Sequence, residues 1–235
     1  MRVYFYAHAW HHLQNIEPVI HELERRYIEW KILTFMPKDD NYPRIEQLFP
    51  RERIEVFAET RVFRFGARLG SLGKPGKLAS LLWSFVWLLA YFARQRPSRL
   101  VVTEDLTLWS NLTTKAARIC RVKCIHLPAE NIHFVEDRLR TLVRYGRIVP
   151  EQPGWAQRLA HRLYPVNVQP YQGKRLYWYG AYRLIASYLL GLLPETPWVR
   201  GSNNIDCVAV NSRVQFEENT RYGLDAARQA ITGFP

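Results

Sequence analysis

Short segments with the composition of buried strands alternate with helical segments in the first part of this chain, and this alternation limits the possible folds more than any other feature. Residues 2–9 are rich in β-forming side chains, and residues 15–27 then place apolar side chains at helical spacing. A second strand is predicted at residues 29–36, a short helix at 45–48 and a third strand at 53–58. Strands and helices that alternate in this way are typical of Rossmann-like domains, whose sheets are parallel.

The rest of the chain continues this pattern, with an irregular insertion before the last strand. Three more strands are predicted, at residues 99–103, 122–127 and 206–211. Helices are predicted at residues 78–93, 111–119 and 182–193. The glycine-rich, basic residues 60–77 are predicted to form a loop, and residues 165–173 a connector. The sequence therefore predicts an α/β fold: a Rossmann-like parallel sheet of about six strands, in the order 3-2-1-4-5 with the last strand beyond, and helices on both faces.

The size and composition of the chain suit one large domain. It has 235 residues, of which 48% are hydrophobic, which is enough for a proper core and excludes a disordered chain. The formal net charge is +12, which indicates an acidic partner. Residues 60–103 and 152–194 contain no Asp or Glu but many Arg, Lys and aromatic residues. This combination is typical of membrane interfaces and of nucleic-acid grooves, and we expect the two stretches to share one face that binds an anionic membrane surface.

Several classes of protein are excluded by motifs that the sequence lacks. It has no helix-turn-helix, RNP, KH or zinc-finger pattern, so we expect no nucleic-acid partner. It also has no P-loop, GxSxG or HExxH motif, which argues against ATPases, serine hydrolases and zinc proteases. Cys120, Cys124 and Cys207 form no CxxC pair, so we expect buried thiols, with no metal and no cofactor.

The expected location of the protein is the cytoplasm. Met1 is followed directly by a predicted strand, without the charged and apolar regions of a signal peptide. The most apolar stretch, residues 78–93, is shorter than the ~20 residues that span a bilayer. A core helix, an interfacial helix and a tilted span are all open for this stretch, and the interfacial alternative places the protein peripherally on the inner face of the cell membrane.

Polar side chains gather where the predicted strands begin or end. Ligands of open parallel sheets bind outside the carboxyl ends of the strands, so these residues are candidates for a site. They are His11 and His12 after the first strand, Glu104 and Asp105 after the fourth, His126 and Glu130 at the end of the fifth, and Arg200, Asn203 and Asn204 before the last.

Several segments resemble a known enzyme family. They are the His-bearing turn at residues 8–12, the strand exit His126-Leu127-Pro128-Ala129-Glu130, the pair Asn211-Ser212 and the run Thr232-Gly233-Phe234-Pro235. Together with the order of the elements, they resemble the N-terminal, acceptor-side domain of GT-B glycosyltransferases of the bacterial surface-polysaccharide and capsule type. The resemblance extends over essentially the whole chain.

The resemblance implies a division of labour between two domains. Residues 1–230 would form the Rossmann-like acceptor-side domain, and residues 231–235 would begin a C-terminal nucleotide-sugar domain that this chain lacks. The implied enzyme transfers a sugar from a nucleotide-sugar donor, bound through the missing half, to a glycan or lipid-linked acceptor in polysaccharide biosynthesis. The full-length protein would be active, and this chain alone would not be.

Within that family, transfer with inversion needs a base that removes the proton of the acceptor hydroxyl. Glu130, Asp105 and Glu104 are the candidate carboxylates, and His12 would orient the acceptor. Capping of the next helix remains an alternative for the two acids after the fourth strand, and capping of the first helix for the histidines. The expected substrate-binding residues are His11, His126, Arg200, Asn203 and Asn204. Among them, Arg200 would hold a phosphate or carboxylate of the acceptor, because a guanidinium binds such groups bidentately.

Other functions remain open on the same scaffold. A sugar-nucleotide epimerase or a glycerophosphotransferase would use similar residues at the same edge of the sheet. A non-catalytic module that binds a membrane surface or a partner protein would also explain the basic and aromatic stretches.

Overall fold

The computed structural model of the protein describes residues 1–7, 12–35, 42–71, 73–104, 107–128 and 134–233. Seven strands of the described chain form one parallel sheet, and two form an antiparallel hairpin. The sheet contains β1 (Arg2–Ala7), β2 (Glu29–Thr34), β3 (Ile54–Val56), β4 (Arg99–Val102), β5 (Lys123–His126), β8 (Cys207–Val210) and β9 (Gln229–Ile231). The hairpin contains β6 (Val168–Tyr171) and β7 (Lys174–Tyr177).

Helices connect these strands. The helices of the described chain are α1 (His12–Arg25), α2 (Tyr42–Leu48), α3 (Arg61–Gly70), α4 (Gly73–Gln95), α5 (Leu108–Ile119), α6 (Val135–Arg144), α7 (Trp155–Leu163), α8 (Ala181–Leu189) and α9 (Arg213–Arg221).

The strand order confirms the predicted topology. The sheet runs β3-β2-β1-β4-β5-β8-β9, and its pairs are parallel. The one strand beyond the prediction is β9, which pairs with β8 at the edge. The start of a second domain at residues 231–235 stays a prediction, and residues 234–235 lie outside the described part of the chain.

The central strand β1 explains why helices cover both faces of the sheet. Tyr4 and Tyr6 are buried in one hydrophobic core, whereas Val3, Phe5 and Ala7 are buried in another. Because successive side chains of a strand point to opposite faces, each face needs its own cover. This arrangement confirms the predicted α/β fold with helices around a parallel sheet.

Residues 60–77 differ from the prediction, because most of them are helical. Helix α3 packs against α4 in a helical hairpin, where the Phe63 ring lies 5.1 Å from Trp87 and 5.7 Å from Phe57. A Cβ atom on Gly66 would lie 3.3 Å from Trp83 Cδ1, so glycine permits the two helices to approach closely. Packing between helices therefore outweighs the low helix propensity of the glycines.

The insertion before β8 is also more regular than expected. Residues 165–173, predicted as a connector, contribute β6 and the start of a tight turn. Gln172 and Gly173 both have positive φ, of 48° and 73°, which is the backbone of a two-residue hairpin turn. Asn167 fastens the hairpin, because its Nδ2 donates to Tyr179 O at 3.0 Å and its Oδ1 accepts from Tyr179 N at 2.8 Å.

Helix α4 contains the apolar stretch at residues 78–93. Its residues Leu88 and Phe92 are buried in the core, whereas Leu82, Trp83 and Val86 are exposed. Among the helices of the described residues, none has the length and hydropathy needed to cross a membrane.

Candidate functional site

The carboxyl ends of β1 and β4 meet at the point where the chain reverses its direction of travel across the sheet. From β1 the chain proceeds to β2 and β3 on one side, and it then returns to β4 on the other side. In open α/β sheets such a switch point forms a crevice in which ligands bind. The polar residues after these two strands are therefore the first candidates for a ligand-binding site.

His12 is the first residue of α1 and lies at this crevice. Only 1% of its surface is exposed, and its Nδ1 lies 3.1 Å from Oγ1 of Thr103. The Thr103 hydroxyl in turn donates to the backbone oxygen of Tyr6 on β1, at 3.3 Å. The imidazole is therefore held in a fixed position at the junction of the two strands.

Glu104 follows β4 and forms an ion pair with Arg200, which precedes β8. Its Oε2 lies 3.5 Å from Arg200 Nη2, and the two side chains are 8% and 17% exposed. The capping alternative for this acid does not describe the next helix, because the side chain that caps α5 is Thr107, whose Oγ1 accepts from Ser110 N at 3.2 Å. Glu104 instead joins β4 to a segment nearly a hundred residues later in the chain.

His126 ends β5 and is buried at the floor of a small polar cleft. The charged and polar side chains that line this cleft are His126, Arg138, Arg200, Gln215 and Asn219. Burial is the main reason why the pKa of His126 falls to about 3, and the positive charges of Arg200 and Arg138 lower it further. The imidazole is therefore neutral at physiological pH and can both donate and accept a proton in hydrogen bonds.

The remaining predicted site residues are distributed as follows. Asp105, Glu130 and His11 lie outside the described residues, so their placement stays a prediction. Asn203 is fully buried, and its Oδ1 accepts from Asn204 Nδ2 at 2.7 Å. Neither asparagine belongs to the described lining of the cleft.

The segment before β8 runs from Arg200, which contacts Glu104 after the carboxyl end of β4, to the amino end of β8. Asp206, the next acid along the chain, already contacts the amino end of β5, because its Oδ2 accepts from Cys124 N at 2.7 Å. The structure thus brings His12, Glu104, His126 and Arg200 toward one edge of the sheet.

Two residues of this edge were not predicted from the sequence. Thr103, the partner of His12, lies 91 positions away in the chain, and a threonine at a strand end gives no signal by itself. Arg138 lies on α6, where its Nη1 donates to Trp198 O at 2.9 Å. Its place in the basic α6 sequence looks like that of an ordinary surface arginine, so only the fold shows that it lines the cleft.

Gly201 allows the segment after Arg200 to pass close to β8. Its φ of +82° is unfavourable for other residues, and a Cβ atom there would lie 2.3 Å from Val208 Cγ2. The backbone oxygen of Gly201 also accepts from Arg228 Nη2 at 2.9 Å. Glycine at this position therefore lets the chain pass directly against β8, one residue after Arg200.

The described residues contain no candidate metal site. No group of three or more His, Cys, Asp or Glu side chains there could hold a metal ion. Cys124 is buried, which raises the pKa of its thiol to about 12, while Cys120 and Cys207 are half-buried. The prediction of buried thiols is therefore confirmed for Cys124, whereas Cys120 and Cys207 are only partly buried.

Comparison with known proteins gives likenesses among solved structures. No family model matches the chain, and no curated protein matches its sequence. The apo form of the lipopolysaccharide outer core galactosyltransferase WaaB is 11% identical over 98% of this chain and 45% of its own, with a TM-score of 0.48. A UDP-GlcNAc 2-epimerase from Neisseria meningitidis, bound to UDP-GlcNAc, is 12% identical over 100% of this chain and 47% of its own, with a TM-score of 0.45.

A third solved structure is HepE from Anabaena in complex with UDP-glucose. It is 12% identical over 100% of this chain and 44% of its own, with a TM-score of 0.45. This chain therefore spans less than half the length of each of the three proteins.

Because His126 is buried with a lowered pKa, we predict that the protein loses stability in mild acid. Its ordinary pKa is 6.5 and its folded pKa is about 3, so the unfolded chain binds the proton more tightly between these values. Stability therefore falls as the pH drops below 6.5 toward 3. Between pH 7 and pH 5 this one group should remove about 2 kcal/mol from the free energy of unfolding, which urea denaturation measures.

The matched variants are His126→Gln and His21→Gln. His21 lies on α1 with 61% of its side chain exposed, so its replacement is the control for substitution of a histidine at the surface. In His126→Gln, the free energy of unfolding should change less between pH 7 and pH 5 than in the wild type, even if the variant is less stable at both pH values. If the free energy of unfolding of that variant changes with pH as it does in the wild type, the burial of a neutral imidazole is contradicted.

Proposed function

We propose that this chain is the acceptor-binding half of a glycosyltransferase that takes part in surface-polysaccharide synthesis. Residues 1–230 would bind a glycan or lipid-linked acceptor, and a second domain starting near residues 231–235 would bind the nucleotide sugar. The observation that carries the proposal is the set of buried polar groups at the switch point of the parallel sheet. His12, Glu104 and Arg200 gather where ligands of this fold class bind.

The reaction assigns a role to each group at this edge. A carboxylate takes the proton of the acceptor hydroxyl, and the oxygen attacks the anomeric carbon of the donor sugar. The bond from that carbon to the diphosphate breaks, and the nucleoside diphosphate leaves with the electron pair. Glu104 already faces Arg200, so we assign the base to Asp105 or Glu130, which follow the carboxyl ends of β4 and β5 in the chain.

Arg200, His12 and His126 would bind and orient the acceptor. The guanidinium of Arg200 has five N–H donors, so it can contact Glu104 and an anionic group of the acceptor at the same time. The neutral His126 beside it would contact a sugar hydroxyl through a bridging water, because it is 1% exposed and its cleft, of about 20 Å³, has room for about one water. His12, held by Thr103, would orient the reacting hydroxyl toward the base.

The catalytic assignment predicts large losses of turnover from two substitutions. In the protein as its gene encodes it, Asp105→Asn or Glu130→Gln should lower kcat on the order of 10²–10⁴-fold, because a general base contributes that much. Transfer of a radiolabelled sugar from nucleotide-sugar donors to membrane-extracted acceptors measures this loss. Glu136→Gln is the control, because Glu136 lies on α6 with 65% of its side chain exposed.

The outcomes of this assay separate the candidate functions. Full turnover in the double variant of Asp105 and Glu130 would remove both from the mechanism. Conversion of UDP-GlcNAc to its 2-epimer without any acceptor would favour the epimerase alternative, and transfer of glycerol phosphate would favour a glycerophosphotransferase. Absence of all three reactions would favour a non-catalytic module.

The non-catalytic alternative has a specific observation in its favour, which is the exposed surface of the α3–α4 hairpin. Phe65, Trp83 and Val86 are exposed there, and the Phe65 and Trp83 rings lie 5.2 Å apart. Arg61, Arg64 and Arg68 are exposed on α3. Apolar and basic side chains together are the composition of a surface that rests on anionic lipid headgroups. A peripheral position on the cytoplasmic face of a membrane also suits a lipid-linked acceptor.

Vesicle flotation tests this membrane surface. The protein should float with vesicles that contain phosphatidylglycerol and stay behind with neutral vesicles, because each basic residue near an anionic surface contributes about 1 kcal/mol. The variant Trp83→Ser with Val86→Ser should lose most of this binding, and Tyr27→Ser, at a residue that is 97% exposed outside the hairpin, should keep it. Equal binding to neutral vesicles, or none to either kind, would reject the surface.

A further inference from the structure

A second pocket, separate from the carboxyl edge of the sheet, lies in the insertion between α7 and α8. Its volume is about 360 Å³, which is in the range of ligand-binding pockets. Residues of both helices and of the stretch after β7 line it. Trp155 at the start of α7 and Tyr182 at the start of α8 are 64% and 69% exposed, with ring centres 6.4 Å apart.

The lining is aromatic and polar, with alanine and glycine in place of larger aliphatic residues. The aromatic members are Trp155, Tyr177, Tyr179 and Tyr182, and the polar ones are Gln157 and His161. Leucine, isoleucine and valine do not occur in its described lining. Tyrosine and tryptophan combine a flat apolar face with a polar edge, so such walls suit a flat ligand that carries hydroxyl groups. An acyl chain would gain more from aliphatic walls.

The pocket is held in shape by hydrogen bonds behind its walls. Asn167 fixes the backbone of Tyr179 from both sides, as described above. The Tyr164 hydroxyl at the end of α7 donates to Pro194 O at 2.5 Å. Ala156 and Ala160 on α7 leave room where larger side chains would fill the space. A pocket with fixed walls loses less entropy when it binds a ligand.

The electrostatic surroundings of the pocket are positive. His161 in its wall has a lowered pKa, because of burial and of the nearby charge of Arg175. Arg183 lies 5.1 Å from the ring centre of Tyr179, and Arg147 lies 5.7 Å from that of Tyr177. Residues 152–194, which contribute the lining, contain no Asp or Glu. A negatively charged ligand would therefore be favoured over a neutral one.

We propose that this pocket binds a sugar ring that carries a negative charge, either a uronate or a phosphorylated sugar. The Trp155 and Tyr182 rings are nearly perpendicular, at 82°, so the sugar ring stacks on the face of Trp155 and its edge contacts Tyr182. His161 and Gln157 contact its hydroxyls, and the surrounding arginines attract its charge. The proposal deepens the proposed function, on which it rests only for the statement that the bound sugar belongs to the acceptor.

The position of the pocket suits a distal part of a longer acceptor. Trp178, next to the lining residues Tyr177 and Tyr179, contacts Trp198 with ring centres 5.9 Å apart. Trp198 also lines the cleft beside His126. In the proposed complex, the charged sugar of an acceptor of several sugars lies in the pocket and its reacting end lies at the sheet.

Binding measurements without any donor test this pocket directly. Isothermal calorimetry and saturation-transfer NMR would compare a glucuronate-containing tetrasaccharide, a phosphorylated maltotetraose and unmodified maltotetraose. We expect one or both acidic sugars to bind at least about tenfold more tightly than the neutral one, and the two acidic arms identify the source of the charge. Trp155→Ala and Tyr182→Ala should each weaken this binding about tenfold, while Tyr182→Phe and the remote Tyr27→Ala should leave it nearly unchanged.

The remaining outcomes would overturn the proposal. They are equal affinity for neutral and acidic sugars, undiminished affinity in Trp155→Ala, and absence of binding to all three sugars. Because Tyr182→Phe keeps the ring and circular dichroism reports folding, a loss of binding can be separated from a loss of structure. If the unmodified protein binds none of the sugars while Asp105→Asn still lowers turnover, this inference is rejected and the proposed transferase function remains.

Discussion

The ion pair between Glu104 and Arg200 connects the two halves of the sheet's carboxyl edge. Glu104 follows β4, and Arg200 belongs to the segment that leads through Gly201 into β8. Both side chains are largely buried, so the desolvation of the two charges offsets much of their attraction. The pair is therefore better understood as a geometric constraint than as a source of stability. It places a guanidinium beside His126, whose pKa is lowered mainly by burial and further by this charge, and it lies near the crevice that holds His12.

Trp198 connects the insertion with this edge of the sheet. This residue contacts Trp178 beside the aromatic pocket, and its indole Nε1 donates to Val166 O at 2.7 Å. Its backbone oxygen accepts from Arg138 at the cleft. One rigid aromatic residue, two positions before Arg200, thus links the aromatic pocket to the polar edge of the sheet.

The parts of the fold that were predictable from sequence are those with local patterns. The six predicted strands of the sheet are short apolar runs such as β1, and their order follows from general rules for α/β connections. Residues 78–93 of α4 were predicted as a helix, but α3 and the first residues of α4 were predicted as a loop because their glycines disfavour helix. Contacts across the hairpin, such as that of Phe63 with Trp87, stabilise them. Candidate polar residues could be selected from their positions next to strands, but contacts such as that of His12 with Thr103 depend on the assembled sheet.

A double-mutant cycle on Glu104 and Arg200 tests the central claim most directly. Unfolding free energies would be measured for the wild type, Glu104→Gln, Arg200→Gln and the double variant. Each single variant should lose about 3–5 kcal/mol, because it leaves the opposite charge buried, and the double variant should lose clearly less than the sum. Additive losses below about 1 kcal/mol would mean that the pair is a weak surface contact, and the account of this edge as one constrained site would be contradicted.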